Sequence, residues 1–191
     1  HPFFASHVVT TDDVRGGYLA GRYLLDKGHT KIAVIAELNR ASGVLRLQGF
    51  KHSLADEGIH LDENDVVYSK SKIEEAKAAA RQILKLEVKP TAVFASTDLI
   101  AAIFINEARK AKVAIPHDIS VIGFDNTIHA ELADPGLTTI AQPIEELAHY
   151  AIQKLLLSIG NPDMPGHRIM LAPELIERHS VRDLNEIEAK R

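Results

Sequence analysis

Apolar positions along this chain follow two alternating rhythms. Runs such as Ile32-Ala-Val-Ile35 and Val121-Ile-Gly-Phe124 are continuous enough for strands buried on both faces. Between them, apolar residues recur three and four apart, the spacing of a helix with one buried stripe. The pattern predicts strands near residues 7–10, 31–36, 65–69, 91–96 and 119–124. It predicts helices at 13–27, stopped by Gly28, and at 42–57, stopped by Gly58. Two more, at 73–86 and 98–112, end before Pro90 and Pro116. A short apolar run, Leu137 to Pro143, leads into a helix at 145–159, and a long strand from Arg168 to Ser180 is interrupted at Pro173. The charged tail after Arg182 is expected to fray. Each helix supplies the dozen-residue crossover that a parallel strand pair needs, so the fold class is α/β with a doubly wound parallel sheet.

With 191 residues, 46% of them apolar, the chain can build one ordinary domain or two small lobes. Its net charge of -4 and its scattered Lys and Arg give no basic face, so this stretch is not expected to hold DNA by itself. The lack of cysteine excludes disulfides, thiolate metal sites and cysteine nucleophiles, and fits a cytoplasmic protein. The start, His1-Pro-Phe-Phe-Ala-Ser-His7, has no basic n-region and no long apolar segment; it reads as a cut end, not as a signal peptide or membrane anchor.

Polar residues gather where the predicted strands end: Asn39, Arg40 and Ser42; Ser69, Lys70 and Ser71; Ser96, Thr97 and Asp98; and Asp125. In open α/β sheets ligands sit at that rim, and this mixture of charge and hydroxyl suits a small polar ligand. Thr97 and Asp98 equally suit a helix cap, and Arg46, one turn into the second helix, is placed to reach a carboxylate, a phosphate or sugar hydroxyls. Leu99 to Ile105 is apolar on every side, so this helix is either sandwiched within the domain or covered by a second subunit; a homodimer through Ile100, Ile103 or Phe104 is expected.

Signatures of catalysis and of metal binding are missing. The ten His residues include no i, i+4 pair on a helix, and there is no G-x-S-x-G elbow, Walker loop or G-x-G-x-x-G. Neither a metal nor a cofactor is expected, and the chain is not expected to be an enzyme. Gly16-Gly17 opens a helix and offers only a weak approach to an anion.

Several segments, in order and spacing, resemble the LacI/GalR family of bacterial transcription regulators. They are Gly16 to Leu24 with Gly28-His29, Ile32 to Ile35, Arg46-Leu-Gln-Gly-Phe50, Pro90 to Ala95 with Thr97-Asp98, Ile115-Pro116, Ile119 to Asp125, Leu137 to Ile140 with Gln142-Pro143, and Glu174 to Val181. The resemblance implies a periplasmic-binding-protein-like type I fold, with residues 30–141 and 169–183 as a complete second lobe, 1–29 and 144–168 as remnants of a first, and 184–191 as a tail. It implies Arg46 and Asp125 as effector ligands, Thr97 where an Asn often binds, and Arg40 and Ser42 as further contacts. The implied partners are a small-molecule effector, a sugar or related polar metabolite, a second copy of the chain, and operator DNA through a helix-turn-helix headpiece that this sequence lacks. Thr97 and Ser71 depart from the residues often found there, so the effector is not transferable from better known branches. A periplasmic sugar-binding protein of a transporter is the alternative of the same fold.

Overall fold

The computed structural model describes residues 7–70, 72–161 and 164–188; the expectation for Ser71 and the end of the tail, residues 189–191, lie outside them. In chain order the main elements are β1 (Val8–Thr11), α1 (Asp13–Asp26), β2 (Ile32–Glu37), α2 (Ala41–Ala55), β3 (Val66–Ser69), α3 (Ile73–Leu84), β4 (Ala92–Ala95) and α4 (Asp98–Lys110). They continue with β5 (Ser120–Asp125), α5 (Ile128–Leu132), β6 (Thr138–Ala141), α6 (Ile144–Gly160), β7 (Arg168–Leu171), β8 (Glu174–Ile176) and α7 (Asn185–Glu188).

A six-stranded sheet runs β3-β2-β4-β5-β6-β8. Its first five strands are parallel, and β8 joins β6 antiparallel. Successive strand residues point to opposite faces, and two cores result. Ala33, Ile35, Val93, Ala95 and Val121 face α3, α4 and α5 with Phe104 and Ile83. Ile32, Val34, Phe94, Ile122 and Phe124 face α1 and α2 with Leu24, Phe50 and Leu54. All six residues of β2 are buried, as expected for a parallel strand covered by helices on both sides.

Helices α1 and α2 meet backbone to backbone. A Cβ at Gly17 would overlap the carbonyl of Arg46, and one at Gly49 would overlap that of Val14. Gly17 and its neighbour Gly16, which abuts the Phe124 ring and Pro173, are therefore packing residues, which corrects the anion-approach reading.

A second, two-stranded parallel sheet joins β1 to β7, with α6 beside it. This places the internal boundary differently from the expected one. Helix α1 packs on the larger sheet and β7 on the smaller, so the chain passes between the two bodies near Asp12 and Ala172–Pro173, away from residues 29 and 168, and at Gln142–Pro143, within the gap expected between 141 and 144. Two further expectations change. The long last strand is split by Pro173 into β7 and β8, which serve different sheets. The beginning of the tail is held, because Leu184 N–H donates to the Lys27 carbonyl at 2.9 Å and Asn185 Nδ2 to that of Asp26 at 2.9 Å, covering the open end of α1.

Most of the apolar run on α4 is covered by this chain itself, although Leu99 at its start is 38% exposed. Phe104 is 0% and Ile100 3% exposed, and Ile103 is half-buried against the same cluster. Ile100 and Phe104 are therefore spent on the chain's own core and are not available to a second copy, while Ile103 keeps part of its surface beside a cavity.

Candidate functional site

The carboxyl ends of the parallel strands open into a cavity of about 660 Å³. The five residues that the resemblance implies as ligands line it, Arg40, Ser42, Arg46, Thr97 and Asp125, as does Ser69 of the polar rim, whereas Asn39, Lys70, Ser96 and Asp98 of that rim do not. Thr10 and Thr11 from the smaller sheet line it too, so both bodies contribute to the wall. Leu99, Ile100, Ile103 and Ile73 give it an aliphatic side.

Arg46 organises the polar side. Its side chain is only 6% exposed. Nε donates to Asp13 Oδ1 at 2.8 Å, and Nη1 donates to the Ser96 carbonyl at 2.7 Å and meets Asp125 Oδ1 at 2.9 Å. The guanidinium carbon lies 3.7 Å from the centroid of the Phe124 ring, a cation–π contact. One buried cation between two carboxylates, with its plane against an aromatic face, is fixed in orientation before any ligand arrives.

Asp125 stands at the end of β5 with φ of 115°, and Asn126 follows with φ of 57°. Two consecutive left-handed residues without glycine are strained, and such strain collects at ligand sites. Burial pushes the Asp125 carboxyl up to about 6; the nearby Arg46 opposes that rise and the charge of Asp98 adds to it. Gln142 Nε2 donates to Asp125 Oδ1 at 2.7 Å, while Gln142 Oε1 accepts from Thr11 Oγ1 at 2.8 Å. A single amide thus ties the smaller sheet to the acid of the larger one.

Thr97 caps α4, accepting from Ile100 N–H at 3.4 Å, and still lines the cavity. Asp98 does not line it. Fully buried, it accepts from Thr139 Oγ1 at 2.5 Å and from Thr127 N–H at 2.6 Å, pinning the turn after β5, and burial raises its pKa. Gly123 leaves the room it needs, since a Cβ there would press on its carboxylate.

Sequence reasoning missed Asp13, Glu37 and Gln142 as wall residues. Asp13 reads as an ordinary acid in a first helical turn and Glu37 as part of a strand; Gln142 was visible only as part of a signature. No group of His, Asp and Glu among the described residues is arranged to hold a metal ion.

Residues 22–181 match the family described as a periplasmic binding protein-like domain. The HTH-type transcriptional regulator DegA of Bacillus subtilis is 39% identical over 185 residues, covering 96% of this chain and 55% of that protein. A LacI family transcriptional regulator from Enterococcus faecium, solved with bound ribose, superposes with a TM-score of 0.84 at 34% identity, over 94% of this chain and 67% of that one. The chain belongs to the LacI family. It corresponds to the effector domain of these regulators and spans about half the length of the curated relatives it matches. Another LacI-family likeness is the HTH-type transcriptional repressor PurR of Erwinia tasmaniensis, 42% identical over 169 residues, or 88% of this chain and 50% of that one. A transcriptional regulator CelR–cellobiose complex has a TM-score of 0.86 at 31% identity, covering 92% of this chain and 54% of its own.

Proposed function

We propose that this chain is the effector-sensing part of a LacI-type transcriptional repressor, and that its effector is a small polar, sugar-like molecule held in the 660 Å³ cavity. The observation that carries the reading is the wall itself. Thr10 and Thr11 from one body meet Arg46, Thr97 and Asp125 from the other, so a ligand held by both fixes their relative position. Ribose and cellobiose in structural neighbours agree with hydroxyl-rich ligands.

The protein acts in the cytoplasm as a homodimer, and no bond is broken. Ligand-dependent placement of the bodies alters operator binding by a helix-turn-helix segment of the kind named in the relatives. The regulators among the relatives favour this over a transporter's periplasmic sugar-binding protein; no helix among the described residues is long and apolar enough to cross a membrane. The boundary of the first lobe, in this reading, encloses β1, α6 and β7.

The test uses the protein at full encoded length with an operator fragment selected by it from random DNA. A sugar that binds the protein is expected to shift operator affinity about 5- to 150-fold, and operator to shift sugar affinity by the same factor. Operator affinity unchanged by a bound sugar refutes the coupling.

A further inference from the structure

Glu37 and Ser69 end neighbouring strands and are direct partners in the parallel register. Both line the cavity, and neither belongs to the hydrogen-bonded cluster around Arg46. Ser69 is 2% exposed, and its buried Oγ has no hydrogen-bond partner among the described residues. The Glu37 side chain is 8% exposed; Arg40 Nε approaches its carboxylate only to 3.8 Å, from a side chain that is 65% exposed. Its main chain, by contrast, is fixed: Glu37 N–H donates to Ser96 Oγ at 3.1 Å, and Gly43 packs against its carbonyl.

A buried hydroxyl without a partner, and a largely buried carboxylate whose paired cation stands 3.8 Å away, are both costly, and that cost is relieved when a ligand supplies a closer donor. We infer that Glu37 and Ser69 form a second recognition point of this cavity, reading a hydroxyl or amino group of the effector. The inference rests on the cavity being the effector site. A carboxylate only accepts hydrogen bonds, so the group facing Glu37 must donate, while the Ser69 hydroxyl can do either.

The charge around the cavity narrows the class further. Three side chains that are mostly buried, Asp13, Glu37 and Asp125, are acids, against one buried cation, Arg46. The other cations in the wall, Arg40 and Lys72, are exposed. That balance disfavours a phosphate or carboxylate on the ligand and favours a neutral polyol or an amino sugar.

Calorimetric titration of the protein at full encoded length decides the matter, using D-ribose, D-glucose, cellobiose, D-glucosamine, D-ribose 5-phosphate and D-glucose 6-phosphate. The expected binders are among the first four. For the tightest of them, Glu37→Gln and Ser69→Ala each lower affinity about tenfold, the effect of leaving a buried polar group unmatched, and Asp125→Asn lowers it as well. A phosphate ester that binds more tightly than its parent sugar, or no binding by any of the six, overturns the ligand class. Unchanged affinity in Glu37→Gln and Ser69→Ala with loss in Asp125→Asn overturns the second recognition point and leaves the cavity reading intact. Unchanged affinity in all three overturns both. Should Glu37→Gln fail to fold, Ser69→Ala, which only removes a hydroxyl, carries the same comparison.

Discussion

The six-stranded body and the β1–α6–β7 body are built from equally apolar sequence yet bury it very differently. In the larger body the helices are stripped of exposed apolar surface wherever they meet the sheet, and Phe50, Phe94, Phe104 and Phe124 are all fully buried. In the smaller, α6 has no buried residue at all: Ile152, Leu155, Leu156 and Ile159 are 59–70% exposed. A helix so rich in exposed Leu and Ile is half of a packing interface. The difference teaches that composition reports how much surface must be covered, whereas only the neighbouring elements decide whether this stretch of chain covers it.

Phe104→Ala should widen the contrast most, because a cavity in a close-packed core costs about 3–5 kcal/mol. Chemical denaturation of the 191-residue chain would show it as a lower midpoint; a loss below about 1 kcal/mol would mean that the larger core is loosely packed. Gly17→Ala comes next at about 1–3 kcal/mol, since a methyl group there drives α1 off the α2 backbone. Its signature is a fall in the melting temperature with the secondary structure retained.

A third effect is smaller and lies at the seam. The Asp125 carboxyl, raised to about 6 by burial, loses its proton only above that pH. A ligand hydroxyl that donates to it should therefore bind up to about tenfold more weakly at pH 5 than at pH 7. Stability has the opposite sign: the folded pKa lies above the ordinary carboxylate value, so the contribution is complete below about pH 4 and disappears as pH rises through about 6. Titration at several pH values checks the first, and Asp125→Asn should flatten the profile; an affinity that stays level from pH 5 to 7 would refute it. The smallest effect belongs to α6. Leu156→Ala should change the stability of the 191-residue chain by less than about 0.5 kcal/mol, and by about 2 kcal/mol or more in the protein at full encoded length, where the rest of a first lobe would cover it. Equal small effects in both would show that α6 stays bare.

Much of the larger body was legible because its strands are short continuous apolar runs and its helices carry clear stops such as Gly28 and Gly58, both at positive φ. Strands β2 to β6 and helices α1 to α4 fall within a few residues of expectation. Five residues are too few for α5 to show a period, and a sequence cannot state that β8 reverses direction, because that follows from where Pro173 leaves the chain. The five candidate ligand residues share one cavity because strand ends converge by topology, which the alternation of elements does encode. Glu37, Ser69 and the double tie of Gln142 depend on register and on side-chain direction, which it does not. Ile100 and Phe104 illustrate the same limit from the other side, since an all-round apolar helix looks identical whether α3 or another copy covers it.

The three places where the chain crosses between the bodies are not equivalent. Two of them contain a proline, Pro143 and Pro173, whose ring fixes φ, while the third passes through Asp12, whose N–H donates to the Leu171 carbonyl at 2.8 Å and whose carboxylate caps α1 by accepting from Arg15 N–H at 2.9 Å. A door hung this way is held at every hinge: no crossing is free to bend alone, so motion between the bodies should be small in angle and shared by all three, with Asp12 carried along by its bond to Leu171.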